Sequence, residues 1–127
     1  MKSISIVIPA YNEESLILTT LEKIADYLHR KRYDYEIIVV DDGSDDHTVQ
    51  RVKEFRNSNI RIMENSRNRG KGYAVQQGIL AAEKDWILLT DADLSTPMGE
   101  LERFFQNTDY EILIGSRAVK NCKILIH

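Results

Sequence analysis

The chain has 127 residues, of which 43% are apolar and 29% charged, and it carries a net charge of −3. The length suits one domain with a real core, and the composition is ordinary for a soluble globular protein. The negative balance argues against a nucleic-acid partner and against a polybasic face that would hold the chain to an anionic membrane.

Taken in chain order, strands and helices alternate. Ser3-Ile4-Ser5-Ile6-Val7-Ile8 predicts a first strand, closed by Pro9. Leu16 to about Arg30 carries Leu21, Ile24, Ala25 and Leu28 at helical spacing. Glu36-Ile37-Ile38-Val39-Val40 reads as a fully apolar strand covered on both faces. A short helix follows from His47 to Phe55, with Val49 and Val52 on its apolar side. Ile60-Arg61-Ile62-Met63 alternates like a third strand. In the third helix, Tyr73, Ala74, Gln77, Gly78 and Ala81 share a face, and the small residues among them predict close packing on a sheet. Trp86-Ile87-Leu88-Leu89-Thr90 is a fourth strand, a helix is expected over Met98–Asn107 with Pro97 at its start, and Glu111-Ile112-Leu113-Ile114 is a fifth strand. The order β-α-β-α-β-α-β-α-β predicts a single α/β domain, with a doubly wound, mainly parallel sheet and right-handed crossovers.

The single cysteine, Cys122, cannot form an internal disulfide and fits a reducing cytoplasm; it reads as a small apolar filler. No signal peptide is evident, and no apolar run approaches the roughly 20 residues of a membrane-spanning helix. His29 and His47 read as a solvated helix face and a structural helix start, so neither is assigned to catalysis.

Each polar cluster follows a strand. Pro9-Ala10-Tyr11-Asn12-Glu13 follows the first, Asp41-Asp42-Gly43-Ser44 the second, Asp91-Ala92-Asp93 the fourth and Gly115-Ser116-Arg117 the fifth. Open α/β sheets bind ligands outside the carboxyl ends of their strands. A strand ending in Asp-x-Asp delivers two carboxylates to that edge, and hard divalent cations combine carboxylate with phosphate oxygens. The expectation is a site for a metal-bound diphosphate. The plainer alternative is turn chemistry, with Asn12 capping the first helix and Ser44 or Asp46 the second.

These motifs, with Asn68-Arg69-Gly70-Lys71-Gly72, resemble the family 2 glycosyltransferases of GT-A fold. Among these the chain is most similar to the dolichyl- and polyprenyl-phosphate glucose and mannose synthases, and Asp93-Leu94-Ser95-Thr96-Pro97 leans towards the glucose branch. The resemblance implies a nucleoside-diphosphate sugar as donor, UDP-glucose before GDP-mannose, and a polyprenyl phosphate as acceptor. It also implies the roles. The loop Pro9, Ala10, Tyr11 and Glu13, with Asp41 and Asp42, holds base and ribose. Gly70 and Gly72 allow close backbone approach, Lys71 offsets phosphate charge, Ala92 lies on the nucleotide and Arg117 pairs with a phosphate. Asp91 reaches the ribose or a metal-bound water, and Asp93 ligates Mg²⁺ or Mn²⁺; these two aspartates are the catalytic candidates. Transfer by direct inversion onto an anionic acceptor needs no strong general base.

Family members run well past Gly115-Ser116-Arg117, so the resemblance also implies a C-terminally truncated domain that lacks acceptor-binding elements. Weak or absent transfer, an uncovered sheet edge and a homodimer are the expectations that follow, with a cytoplasmic or peripheral inner-membrane location. Three rival readings stand beside this one. A nucleotide-binding module without turnover is one. A dinucleotide loop at Gly70-x-Gly72 lacks the third glycine. A haloacid-dehalogenase-type phosphatase would place Leu89-Thr90-Asp91-Ala92-Asp93 on an early strand.

Overall fold

A computed structural model describes residues 3–93, 98–100, 111–112 and 123–126. Its elements are β1 (Ser3–Ala10), α1 (Ile17–Arg30), β2 (Asp34–Asp41), α2 (Thr48–Glu54), β3 (Ile60–Glu64), α3 (Lys71–Ala81), β4 (Trp86–Leu89), a 3₁₀ turn at Met98–Glu100, β5 (Glu111–Ile112) and β6 (Lys123–Ile126). The sheet runs in the order β3-β2-β1-β4-β6-β5. All pairings are parallel except β5 with β6. The mainly parallel, helix-covered sheet is thus as expected, with two differences. Pro9 does not close β1, because Pro9 and Ala10 stay in register with Val40 and Asp41. A further strand beyond the expected five, β6, lies between β4 and β5. Of the helix expected over 98–107, the described part is the 3₁₀ turn, and the remainder lies outside the described residues.

Alternation along the strands builds two cores. On one face Ile4, Ile6 and Ile8 of β1, Ile37 and Val39 of β2 and Leu88 of β4 meet α1, through Ile17, Leu21, Ile24 and Leu28, and Val52 of α2. On the other, Val7, Ile38, Val40 and Ile87 meet Ala74 and Ile79 of α3 and Ala82 just beyond it. A central parallel strand is buried on both sides, which is why β2 reads as an apolar run and β1 is continuously apolar from Ile6 to Ile8.

Glu36 departs from the apolar reading of β2. It is buried, and its carboxylate accepts from Ser5 Oγ at 2.6 Å, the Glu83 amide at 2.7 Å and Arg61 Nη2 at 3.0 Å. Arg61 also donates to the Ala81 carbonyl at 2.8 Å. A buried carboxylate is tolerated when it is paired and hydrogen-bonded. Among the described residues no helix is long and apolar enough to cross a membrane.

The close approach expected of the third helix occurs at Gly78. A Cβ there would stand 2.3 Å from Val7 Cγ1 and 3.2 Å from Val40 Cγ2. Valine is stiff at χ1, so neither neighbour can move aside easily. Gly78→Ala is expected to push α3 off the sheet and to destabilise by about 1–3 kcal/mol in denaturant unfolding. Gly72→Ala, where a Cβ meets nothing within 4 Å, is expected to be neutral or slightly stabilising in the same measurement.

Candidate active site

β1, α1 and β2 build the sheet in one direction, and α3 then carries the chain back across β2 and β1 to place β4 on the far side of β1. The order therefore reverses between β1 and β4. Such a switch point leaves a crevice at the carboxyl ends of the strands. A cleft of about 370 Å³ lies there. Pro9 and Ala10 from β1, and Tyr11 and Glu13 from the following loop, form one wall. Asp42, Asn68 and Gly70, with Lys71 and Ala74 of α3, form another, and Asp91, Ala92 and Asp93 close the cleft beyond β4.

Most residues singled out from the sequence are thereby brought together. Asp41 is not on the wall: it is 2% exposed, and its Oδ2 accepts from the Ser44 amide at 3.0 Å. Its Oδ1 and Thr90 Oγ1 have no hydrogen-bond partner among the described residues. Arg117 lies outside the described residues. Asn68 and Ala74 line the cleft without having been singled out as ligands, although Asn68 belongs to the Asn-Arg-Gly-Lys-Gly motif. A Cβ at Gly70 or Gly72 would meet no protein atom within 4 Å, so neither glycine serves an approach within the chain itself.

Asp42 organises the wall around it. Its Oδ1 accepts from the Arg69 amide at 2.8 Å and Asn65 Nδ2 at 3.2 Å, and its Oδ2 from the Gly70 amide at 2.9 Å. Gln77 of α3 receives Asn65 Nδ2 at 2.8 Å. Gly43, with φ of +78°, completes the fit: a Cβ there would lie 2.4 Å from the Arg67 carbonyl carbon. The start of α3 opens on the cleft, with Arg69 stacked 4.5 Å over the Tyr73 ring. Lys71 Nζ meets Asp91 Oδ1 at 2.7 Å. Both of those side chains are more than half exposed, so the pair is weakly held and can be exchanged for another charge.

The loops after β1 and β2 fasten to each other, which sequence reasoning missed. Asn12 sits at φ of +53° and does not cap α1. Its amide donates to Ser44 Oγ at 2.8 Å and its Oδ1 accepts from the Asp45 amide at 3.0 Å. The Glu13 amide donates to Thr48 Oγ1 at 2.8 Å and the Glu14 amide to Asp46 Oδ2 at 3.3 Å. Glu14 in return accepts from the His47 amide at 3.1 Å and contacts His47 Nδ1 at 3.0 Å. Asp46 does serve α2, through the Thr48 amide at 2.9 Å, whereas Ser44 is used by Asn12 instead.

The sheet order, the helices on both faces and a cleft of carboxylates at the switch point define a nucleotide-sugar transferase fold of GT-A type. The chain belongs to glycosyl transferase family 2, whose model matches residues 5–125. That membership removes the phosphatase and dinucleotide rivals. A dolichyl-phosphate beta-glucosyltransferase of Trichomonas vaginalis is 36% identical over 98% of this chain and 42% of its own length. The chain thus spans about two fifths of that curated relative. S. aureus TarS 1-349 in complex with UDP-GlcNAc superimposes with a TM-score of 0.69 at 30% identity, covering 86% of this chain and 31% of that one. The mannosyltransferase PcManGT from Pyrobaculum calidifontis, in complex with GDP-Man and Mn2+, gives 0.64 at 28% identity, covering 73% and 28%.

Asp46 gives the loop junction a pH dependence. Burial works to raise its pKa, but bonds from the Thr48 hydroxyl and amide and from the Glu14 amide together outweigh burial and hold the carboxyl below its ordinary value. A depressed folded-state pKa contributes stability above the unfolded value and loses it as pH falls through the folded one. Asp46→Asn is therefore expected to lower the melting temperature at neutral pH. The gap to wild type should narrow as pH drops below about 4, as read by thermal denaturation across that range.

Proposed function

We propose that this chain carries the donor-binding machinery of an inverting glycosyltransferase. The donor is a nucleoside-diphosphate hexose, UDP-glucose first and GDP-mannose second, and the acceptor a polyprenyl phosphate. The observation that carries this reading is the cleft itself. It joins two exposed carboxylates one residue apart, Asp91 and Asp93, with Tyr11, Asp42 and the start of α3.

The chemistry of each wall suits a different part of such a donor. Tyr11 is 44% exposed and offers an aromatic face to a base. A carboxylate has about four lone-pair sites. Three on Asp42 are filled by Asn65, Arg69 and Gly70, which leaves room for a base N–H or a ribose hydroxyl. Pro9, Ala10 and Glu13 border the same end. The positive end of the α3 dipole favours negative charge near Gly70 and Lys71, and Lys71 can pass from Asp91 to a phosphate because the pair is exposed. Asp91 serves the ribose or a metal-bound water, and Arg117 is assigned to a phosphate.

Among the described residues no cluster of three or more metal-binding side chains occurs. Two hard carboxylates alone fit Mg²⁺ or Mn²⁺, which fill their other positions with phosphate oxygens and water. Asp93, assisted by Asp91, would hold the ion, and when bound it supplies positive charge to the departing diphosphate. Side chains of the cleft orient the sugar, and an acceptor phosphate is already anionic, so the site requires no histidine base. The names of the polyprenyl-type relatives support a lipid phosphate as acceptor, which the enzyme would meet at a membrane surface. The mannosyltransferase held with GDP-Man is what keeps GDP-mannose as the second donor.

Calorimetry with UDP and GDP, each with and without Mn²⁺, tests the reading. UDP is expected to bind more tightly than GDP, and Mn²⁺ to strengthen both. Asp93→Ala should abolish the metal-dependent part and Asp91→Ala should reduce it less, with little change in melting temperature because both side chains are exposed. Folded wild-type protein that binds neither nucleotide with metal present would overturn the proposal.

A further inference from the structure

Asp91 and Asp93 are exposed, but the residue between them is not. Ala92 is 3% exposed and its side chain belongs to the core under α1. The Ala92 carbonyl accepts a hydrogen bond of 2.5 Å from Thr20 Oγ1, and Thr20 is itself 3% exposed. Thr20 lies on the packed face of α1, where its neighbours Ile17, Leu21 and Ile24 are wholly apolar. A threonine in a helix commonly returns its hydroxyl to a carbonyl one turn earlier. Here the hydroxyl leaves the helix and reaches 72 residues along the chain.

We propose that Thr20 is a positioning residue for the Asp-Ala-Asp turn, and that it sets the affinity for the metal-bound diphosphate; this rests on the function proposed above. The carbonyl of Ala92 and the amide of Asp93 belong to one planar peptide unit. Holding that carbonyl fixes the plane from which the Asp93 side chain departs. No hydrogen bond or ion pair of Asp93 itself supplies that restraint among the described residues, whereas Asp91 is also held by Lys71. Metal ligands bind well when partners behind them fix their orientation, and Thr20 is such a partner acting through the backbone.

The test compares Thr20→Val, which keeps the shape and loses the donor, with Thr20→Ser, which keeps the donor. Calorimetry with UDP, with and without Mn²⁺, is paired with backbone NMR order parameters at Asp91, Ala92 and Asp93. Thr20→Val is expected to cut the Mn²⁺-dependent gain in UDP affinity about tenfold. Metal-free UDP affinity should be nearly unchanged, and the order parameter at Asp93 lower. Thr20→Ser should restore both. A purely structural threonine would lower the melting temperature without changing the metal-dependent gain, and that result overturns the proposal. If wild type binds no nucleotide, the functional reading fails, and the order parameters decide the positioning role: equal values in wild type and Thr20→Val overturn it. Should Thr20→Val not fold, Thr20→Ala removes the same donor and carries the same comparison.

Discussion

The structure depends on β1 being enclosed from every side. It is paired in parallel with β2 and β4, covered by α1 on one face and by α3 on the other, and fully buried at Ile4, Ile6, Val7 and Ile8. A strand so placed is apolar from Ile6 to Ile8, and its one buried hydroxyl, that of Ser5, is taken up by Glu36. At the carboxyl end its pairing with β4 stops at Val7 and Leu89, while that with β2 runs on to Ala10 and Asp41. The cleft is the space this parting leaves, and Pro9 and Ala10 border it because they are the last residues of the ladder.

Loops that surround such a space are rich in unpaired amides. In this protein they satisfy one another. Asn12, Glu13 and Glu14 bond to the segment 44–48, and Asp42 gathers the amides of Arg69 and Gly70. The result is a rim whose parts come from three places in the chain yet share their hydrogen bonds. Side chains such as Tyr11, Asp91 and Asp93 then stand exposed on a rim that is itself held.

Much of this was legible because its signals were local. The apolar runs of β1 and β2 and the spacing of Ile17, Leu21, Ile24 and Leu28 announce their elements without knowledge of any partner. The motif order also placed the candidate residues on one edge, since every cluster follows a strand. What escaped depended on distant partners. Lys123–Ile126 is a short apolar run whose identity as a strand comes from pairing with Trp86–Leu89, far away in sequence. Asn12 looked like a helix cap, but its bonds go to Ser44 and Asp45. The inward turn of Asp41 had a signal that went unread. Two-residue alternation puts it on the side of Ile37 and Val39, the face covered by α1 and α2, while Asp42 falls on the cleft.

The opposite end of the sheet bears on how the chain reaches this state. Glu36 is satisfied only when Ser5 of β1, Arg61 of β3 and the turn entering β4 have all arrived. A half-assembled sheet, with β1 and β2 paired but α3 and β4 undocked, would hold a carboxylate partly withdrawn from water and short of its partners, a costly arrangement. Such intermediates are thereby disfavoured, and a slipped register of β4 would misplace the same donor. One side chain thus ties the early strands to the later half of the domain, and separate assembly of the two strands flanking the cleft is disfavoured.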